Sequence, residues 1–163
     1  MKKRILVSDY NPEEADYIKN ALEKEGYEIR TVGSISEFAA EVLKNDYSLV
    51  IIRETERSGS LSEKDYKDPI VSTVIELSEL TGKPQPIEHT RLSDFEIYLD
   101  EHFKGDRSLF YRVQEKIKKI PHFMIAQHPF ANLLRNIGND VLEAEENEIP
   151  EERLLEKVKK YLK

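Results

Sequence analysis

The run Leu49-Val50-Ile51-Ile52-Arg53-Glu54 decides the fold of this chain. Four consecutive apolar residues, three of them β-branched, read as a strand buried on both faces. A strand, a helix, a second strand and a second helix precede it, so it is the predicted third strand of a parallel sheet. Its carboxyl end, where Arg53 sits, is the end at which open α/β sheets place their chemistry.

Working back from that run, residues 3–8 (KRILVS) form the first strand. Asn11 followed by Pro12 predicts an N-cap with proline at the first helical position. Glu13, Glu14 and Asp16 load the helix start with negative charge, as the helix dipole favours. Ala15, Ile18, Ala21 and Leu22 share one face, and Gly26 closes the helix. Residues 27–32 (YEIRTV) alternate, as expected of a strand near an edge. Ser36 is the predicted cap of a second helix whose buried stripe is Phe38, Ala39, Val42 and Leu43, and Asn45-Asp46 break it.

Downstream the pattern changes. Residues 54–105 are too long for a loop and read as a mostly helical insertion after the third strand. Asp68-Pro69 opens a helix carrying Ile70, Val71, Val74 and Ile75, which Gly82 closes. Ser93 with Glu96 three residues on makes a capping box for a helix carrying Phe95, Tyr98, Leu99 and Phe103. Asp106 opens a helix with Leu109, Phe110, Val113 and Ile117 inward, ending at Ile120-Pro121. The alternation then returns: residues 122–126 (HFMIA) are the fourth strand, 130–137 a short helix stopped by Gly138, 140–144 (DVLEA) a weak fifth strand. Glu151 onward forms the last helix, with Leu154, Leu155, Val158 and Leu162 inward. The expectation is one domain over residues 1–163: an α/β, flavodoxin-like, doubly wound, five-stranded parallel sheet in three α/β/α layers.

Composition narrows the function. The chain has 163 residues, 35% of them charged, with a net charge of −7 and no cysteine. Disulfides, thiol chemistry and thiolate metal sites are excluded, which fits a cytoplasmic protein. The negative charge argues against a nucleic-acid partner. No apolar run reaches the ~18–20 residues of a membrane span, and the basic start is too short in apolar residues for a signal peptide. His89, His102, His122 and His128 show no ligand spacing, so neither a metal nor another cofactor is expected.

Residues 1–53 resemble the first half of a bacterial response-regulator receiver domain of the CheY-like kind, and 149–162 (IPEERLLEKVKKYL) resemble its closing helix. Working receivers use an acidic pair after the first strand, an aspartate ending the third, a hydroxyl ending the fourth and a lysine ending the fifth. Clustered carboxylates bind Mg²⁺, the aspartate takes the phosphoryl group, and lysine and metal neutralise the developing charge. Carried over, the acidic pair becomes Asp9 and Tyr10. The acceptor becomes Arg53 and the hydroxyl Ala126. The lysine falls among Ala144, Glu145 and Glu146, with Glu145 in the middle. The pocket thus reads as vestigial, with Arg53 and Asp9 forming a permanent ion pair inside it.

The resemblance therefore implies a non-phosphorylatable pseudo-receiver in two-component signal transduction. It would be a regulatory protein–protein interaction module rather than an enzyme, with a protein partner and, by likeness to receivers, homodimerisation. Ile70, Val74 and Tyr98 on the insertion, with Leu155 and Tyr161 on the closing helix, are the expected docking residues. Two alternatives stand beside this reading. One is unconventional phosphorylation of Asp9 or Glu54, although strand period points Glu54 away from the pocket. The other is a small-molecule or enzymatic site near Asp9, Arg53 and Gln127, roofed by residues 54–105.

Overall fold

A computed structural model describes residues 2–9, 11–53, 103–127, 130–136, 138–145 and 149–163. In chain order these hold β1 (Arg4–Ser8), α1 (Pro12–Glu23), β2 (Glu28–Val32), α2 (Ile35–Lys44) and β3 (Leu49–Arg53). After the undescribed stretch come α3 (Arg107–Lys119), β4 (His122–Gln127), α4 (Phe130–Asn136), β5 (Val141–Ala144) and α5 (Glu151–Tyr161). The five strands are all parallel in the order β2-β1-β3-β4-β5. β3 lies at the centre, with Ile51 facing Val7 on one side and Phe123 on the other. The doubly wound sheet is the one its apolar runs predict.

Alternation along the buried strands feeds two cores. Leu6, Val50, Ile52, Met124 and Ala126 point to the side covered by α2, α3 and α4, together with Phe103, Phe110 and Leu134. Ile5, Val7, Leu49, Ile51, Phe123 and Ile125 point to the side covered by α1 and α5, together with Ile18, Leu22, Leu154 and Val158. Phe103 and Phe110 meet edge to face at 5.3 Å, an arrangement the ring quadrupoles favour. Each fully buried side chain of this size stabilises by roughly 1.5–3 kcal/mol, so helices on both faces are needed to close the sheet.

The caps explain where the helices begin. The Asn11 side chain accepts from Glu13 N at 3.0 Å and Pro12 follows at the first turn. The Asp106 side chain accepts from Leu109 N at 2.9 Å at the start of α3. The second helix begins earlier than predicted. Ser34, not Ser36, is its cap: Ser34 is extended (φ −146°) and its Oγ accepts from Glu37 N at 3.1 Å. Glu37 answers by accepting from Gly33 N at 3.1 Å, a reciprocal arrangement that satisfies two exposed amides. This shift brings Ile35 into the helix and buries it. Gly138 stops α4 as predicted, at φ +97°, where other residues strain.

Of the predicted insertion 54–105, only residues 103–105 are described. Ile70, Val74, Tyr98, Glu54 and the helices expected around them lie outside the described residues. Among the described residues no helix is long and apolar enough to cross a membrane.

Candidate functional site

Three chain segments meet at the carboxyl end of the sheet. β1 ends at Ser8, and the next residue, Asp9, is held by its own amide donating to Val32 O at 3.0 Å. Its Oδ1 accepts from Asn11 N at 2.9 Å. That bond sets the entry of α1, whose first turn then carries Glu14 back over the strand ends. β3 contributes Arg53 as its last residue. Asp9 and Arg53 are 2% and 4% exposed, so both charges are withdrawn from water, where an unpaired ion is costly.

Arg53 makes its close contacts to Glu14. Its Nε donates to Glu14 Oε2 at 2.6 Å and its Nη2 to Glu14 Oε1 at 3.4 Å, a two-pronged pairing that suits the planar guanidinium. The predicted partner, Asp9, lies at ion-pair distance, with Oδ2 3.8 Å from Nε, but beyond hydrogen-bond length. Asp9 Oδ2 and Arg53 Nη1 are both buried and neither has a hydrogen-bond partner. Two carboxylates thus share one guanidinium, and the nearer carboxylate takes its hydrogen bonds.

This arrangement lifts the Asp9 carboxyl to about 7, chiefly because burial penalises its charge and also because Glu14 lies close by; the Asn11 amide and the Arg53 charge pull the other way. Near neutral pH the carboxyl therefore holds a proton for much of the time. Arginine itself does not give up its proton in proteins.

The other positions carried over from receivers lie as follows. Ala126 is fully buried in β4, beside Glu143 of β5, and has no hydroxyl to offer. Ala144 ends β5 in the core, and Glu145 after it is exposed. Gln127 is half-buried at the end of β4. Tyr10 and Glu146 lie outside the described residues. Among the histidines only His122 is described, with Nδ1 3.0 Å from Ile120 O. Among the described residues no group of three potential ligands could hold a metal ion.

The two predicted docking residues on α5 are both half-buried. The Tyr161 ring stacks on Phe123 at 5.5 Å, and its hydroxyl donates to Asp140. Leu155 is half-buried against the α1/α5 core. The residue that sequence reasoning missed is Glu14. Its place in the first turn after Pro12 has a sufficient local explanation in the helix dipole, which hides its second role across the sheet. The usable signal is an arginine ending a buried strand beside a helix start with three acids.

No protein-family model and no curated protein matches the chain in sequence. Solved structures do match in shape, and several of them are response regulators or receiver domains. NtrX from Brucella abortus superposes with a TM-score of 0.58 at 17% identity, over 99% of this chain and 27% of NtrX; the chain thus spans about a quarter of that protein's length. The chemotaxis response regulator CheY4 of Vibrio cholerae gives 0.58 at 13% identity, over 99% of both chains. A CheY-like receiver domain protein from Methanospirillum hungatei gives 0.55 at 17%, over 99% of this chain and 94% of that one. The fold is that of the response-regulator receiver domain.

Proposed function

We propose that this chain is a pseudo-receiver: a receiver fold that cannot take a phosphoryl group and that regulates a signalling pathway by binding another protein. Arg53 carries this reading. It occupies the position of the phosphoryl acceptor, it is buried, and Glu14 holds it in place. A guanidinium there offers no nucleophilic oxygen, and its fixed charge repels Mg²⁺. The neighbouring positions agree, since Ala126 lacks a hydroxyl and neither Ala144 nor Glu145 is the charge-neutralising lysine.

The module is not an enzyme in this reading, and it works in the cytoplasm. Residues 54–105 are an insertion that supplies the docking surface, through Ile70, Val74 and Tyr98, with homodimerisation a further use of the fold. Sequence adds one support. Residues 54–102 hold twelve of the 32 acidic residues and five of the 25 basic ones, so the whole net charge of −7 belongs to that segment. A partner with a basic surface fits it, and their association would weaken as salt rises.

The test is incubation with a small acyl-phosphate donor and Mg²⁺, followed by intact mass. The expected result is an unchanged mass. Addition of one phosphoryl group, abolished by Asp9→Asn, overturns the proposal in favour of an unconventional acceptor.

A further inference from the structure

We propose that Arg53 is a movable cation with two seats, Glu14 and Asp9, and that the proton on Asp9 decides which seat it takes. The inference rests on the pseudo-receiver reading in one respect, that Arg53 is the pocket's resident cation, and it adds a regulatory device to that pocket.

The geometry carries the argument. Glu14 holds the guanidinium at 2.6 Å, while Asp9 Oδ2 waits 3.8 Å from the same Nε. That oxygen has no hydrogen-bond partner and neither has Arg53 Nη1, and both atoms are buried. A buried acceptor and a buried donor left unmade on neighbouring groups cost free energy. A modest movement of the guanidinium that joined them would relieve that cost while loosening the bond to Glu14. With Asp9 protonated, the attraction is gone, the Asp9 carboxyl can bond Glu14 instead, and Glu14 keeps the cation. With Asp9 ionised, two buried carboxylates compete for one guanidinium, and the orphaned oxygen gains its donor. The rise in the Asp9 carboxyl caused by burial places this competition near neutral pH.

The surroundings contain, among the described residues, few other charges that could set the exchange. Among the described residues, Asp9 and Glu14 are the groups at ion-pair distance from Arg53. The ends of β4 and β5 contribute Ala126, Gln127 and Ala144, none of which ionises. On α1, Glu13 is exposed; on α2, Glu37 is also exposed and is bonded to Gly33 N.

The two seats differ mechanically. Asp9 belongs to the sheet end and is fixed by Val32 O and Asn11 N. Glu14 belongs to α1. Arg53 on Glu14 ties the first turn of α1 to β3; Arg53 on Asp9 releases that tie. A proton thus controls how firmly α1 is held to the sheet centre, a two-state element of the kind that pH switches require.

The test follows the Arg53 Nε–H resonance of the full chain from pH 5 to pH 9, with hydrogen exchange of the α1 amides at both ends of the range. The wild type is expected to titrate with a single midpoint near neutrality, and the first turn of α1 to exchange at least several-fold faster at the high-pH end after correction for intrinsic rate. Asp9→Asn is expected to hold Arg53 at its low-pH position throughout. Glu14→Gln is expected to hold it at its high-pH position from pH 6 upward and to lower the Asp9 midpoint. A flat wild-type resonance overturns the proposal, and so does a titration that survives Asp9→Asn. Phosphorylation in the mass experiment would defeat the pseudo-receiver reading without touching this readout, so the two failures are distinct.

Discussion

Two charged clusters lie at opposite ends of the same parallel sheet, built from similar parts. At the carboxyl end, Asp9 and Glu14 share Arg53. At the amino end, Asp140, just before β5, is bonded by Lys157 Nζ at 2.7 Å and by the Tyr161 hydroxyl. The second cluster has two donors for one carboxylate and keeps nearly half of the Asp140 side chain in water (47% exposed). Burial works to raise that carboxyl, but the bonds from Lys157 and Tyr161 outweigh it, and the carboxyl is held below its ordinary range. The first cluster has two donor groups, the Arg53 guanidinium and the Asn11 amide, for two carboxylates and keeps Asp9 and Arg53 buried, and there the same kind of group rises to about 7. The number of donors per carboxylate, together with burial, decides whether a charge cluster fastens the fold or strains it. The amino-end cluster pins α5 to β4 and β5. The carboxyl-end cluster stands where receivers keep their chemistry.

Removing the shared cation is the harshest way to break this contrast. Arg53→Ala leaves two buried carboxylates without a counter-charge and should cost about 3–5 kcal/mol at pH 8. Much of the loss should be recovered at pH 5, where Asp9 can stay protonated; urea unfolding at the two pH values measures both. The next effect has the opposite sign. The Asp9 carboxyl binds its proton more tightly folded than unfolded, so between about pH 4 and pH 7 stability falls as pH rises, by at most about 1.4 kcal/mol per pH unit. Asp9→Asn should therefore raise the urea midpoint at pH 8 and leave it nearly unchanged at pH 4.

The amino-end cluster should respond mildly and the other way round. Tyr161→Phe keeps the stacking on Phe123 and loses the hydroxyl's bond to Asp140 with its longer contact to His122 O, for about 1 kcal/mol by thermal unfolding. Asp140→Asn should cost less than about 1 kcal/mol at pH 7, since the cluster is partly solvated. Asp140 is depressed in the folded state, so its contribution is present above the unfolded carboxylate value and fades as pH falls through the folded one. The loss caused by Asp140→Asn should accordingly vanish at strongly acid pH.

Much of the fold was legible because its signals are local. The uninterrupted apolar runs at 49–52 and 123–126 announce buried parallel strands, and Asn11-Pro12 and Asp106 announce helix starts. The cap of α2 was misplaced by two residues because Ser34 and Ser36 are equally suitable by type. The choice depends on which one is extended and reaches Glu37 N. The site was half legible. Asp9 and Arg53 stand at the ends of adjacent strands, β1 and β3, so their nearness follows from the topology. Glu14 pairs with Arg53 across 39 residues, and nothing in the first turn of α1 distinguishes it from Glu13 until the helix is docked. The stacking of the Tyr161 ring on Phe123 is a contact that only packing of α5 reveals.

The central claim is that Arg53, at the position of the phosphoryl acceptor, already supplies the pocket's positive charge. The most direct measurement is the unfolding midpoint of the wild type and of Arg53→Asp, each with and without Mg²⁺. The account predicts that Mg²⁺ leaves the wild type unmoved and stabilises Arg53→Asp, in which three carboxylates then stand together. A wild type that Mg²⁺ stabilises at the pocket, with the effect lost in Asp9→Asn, would contradict it.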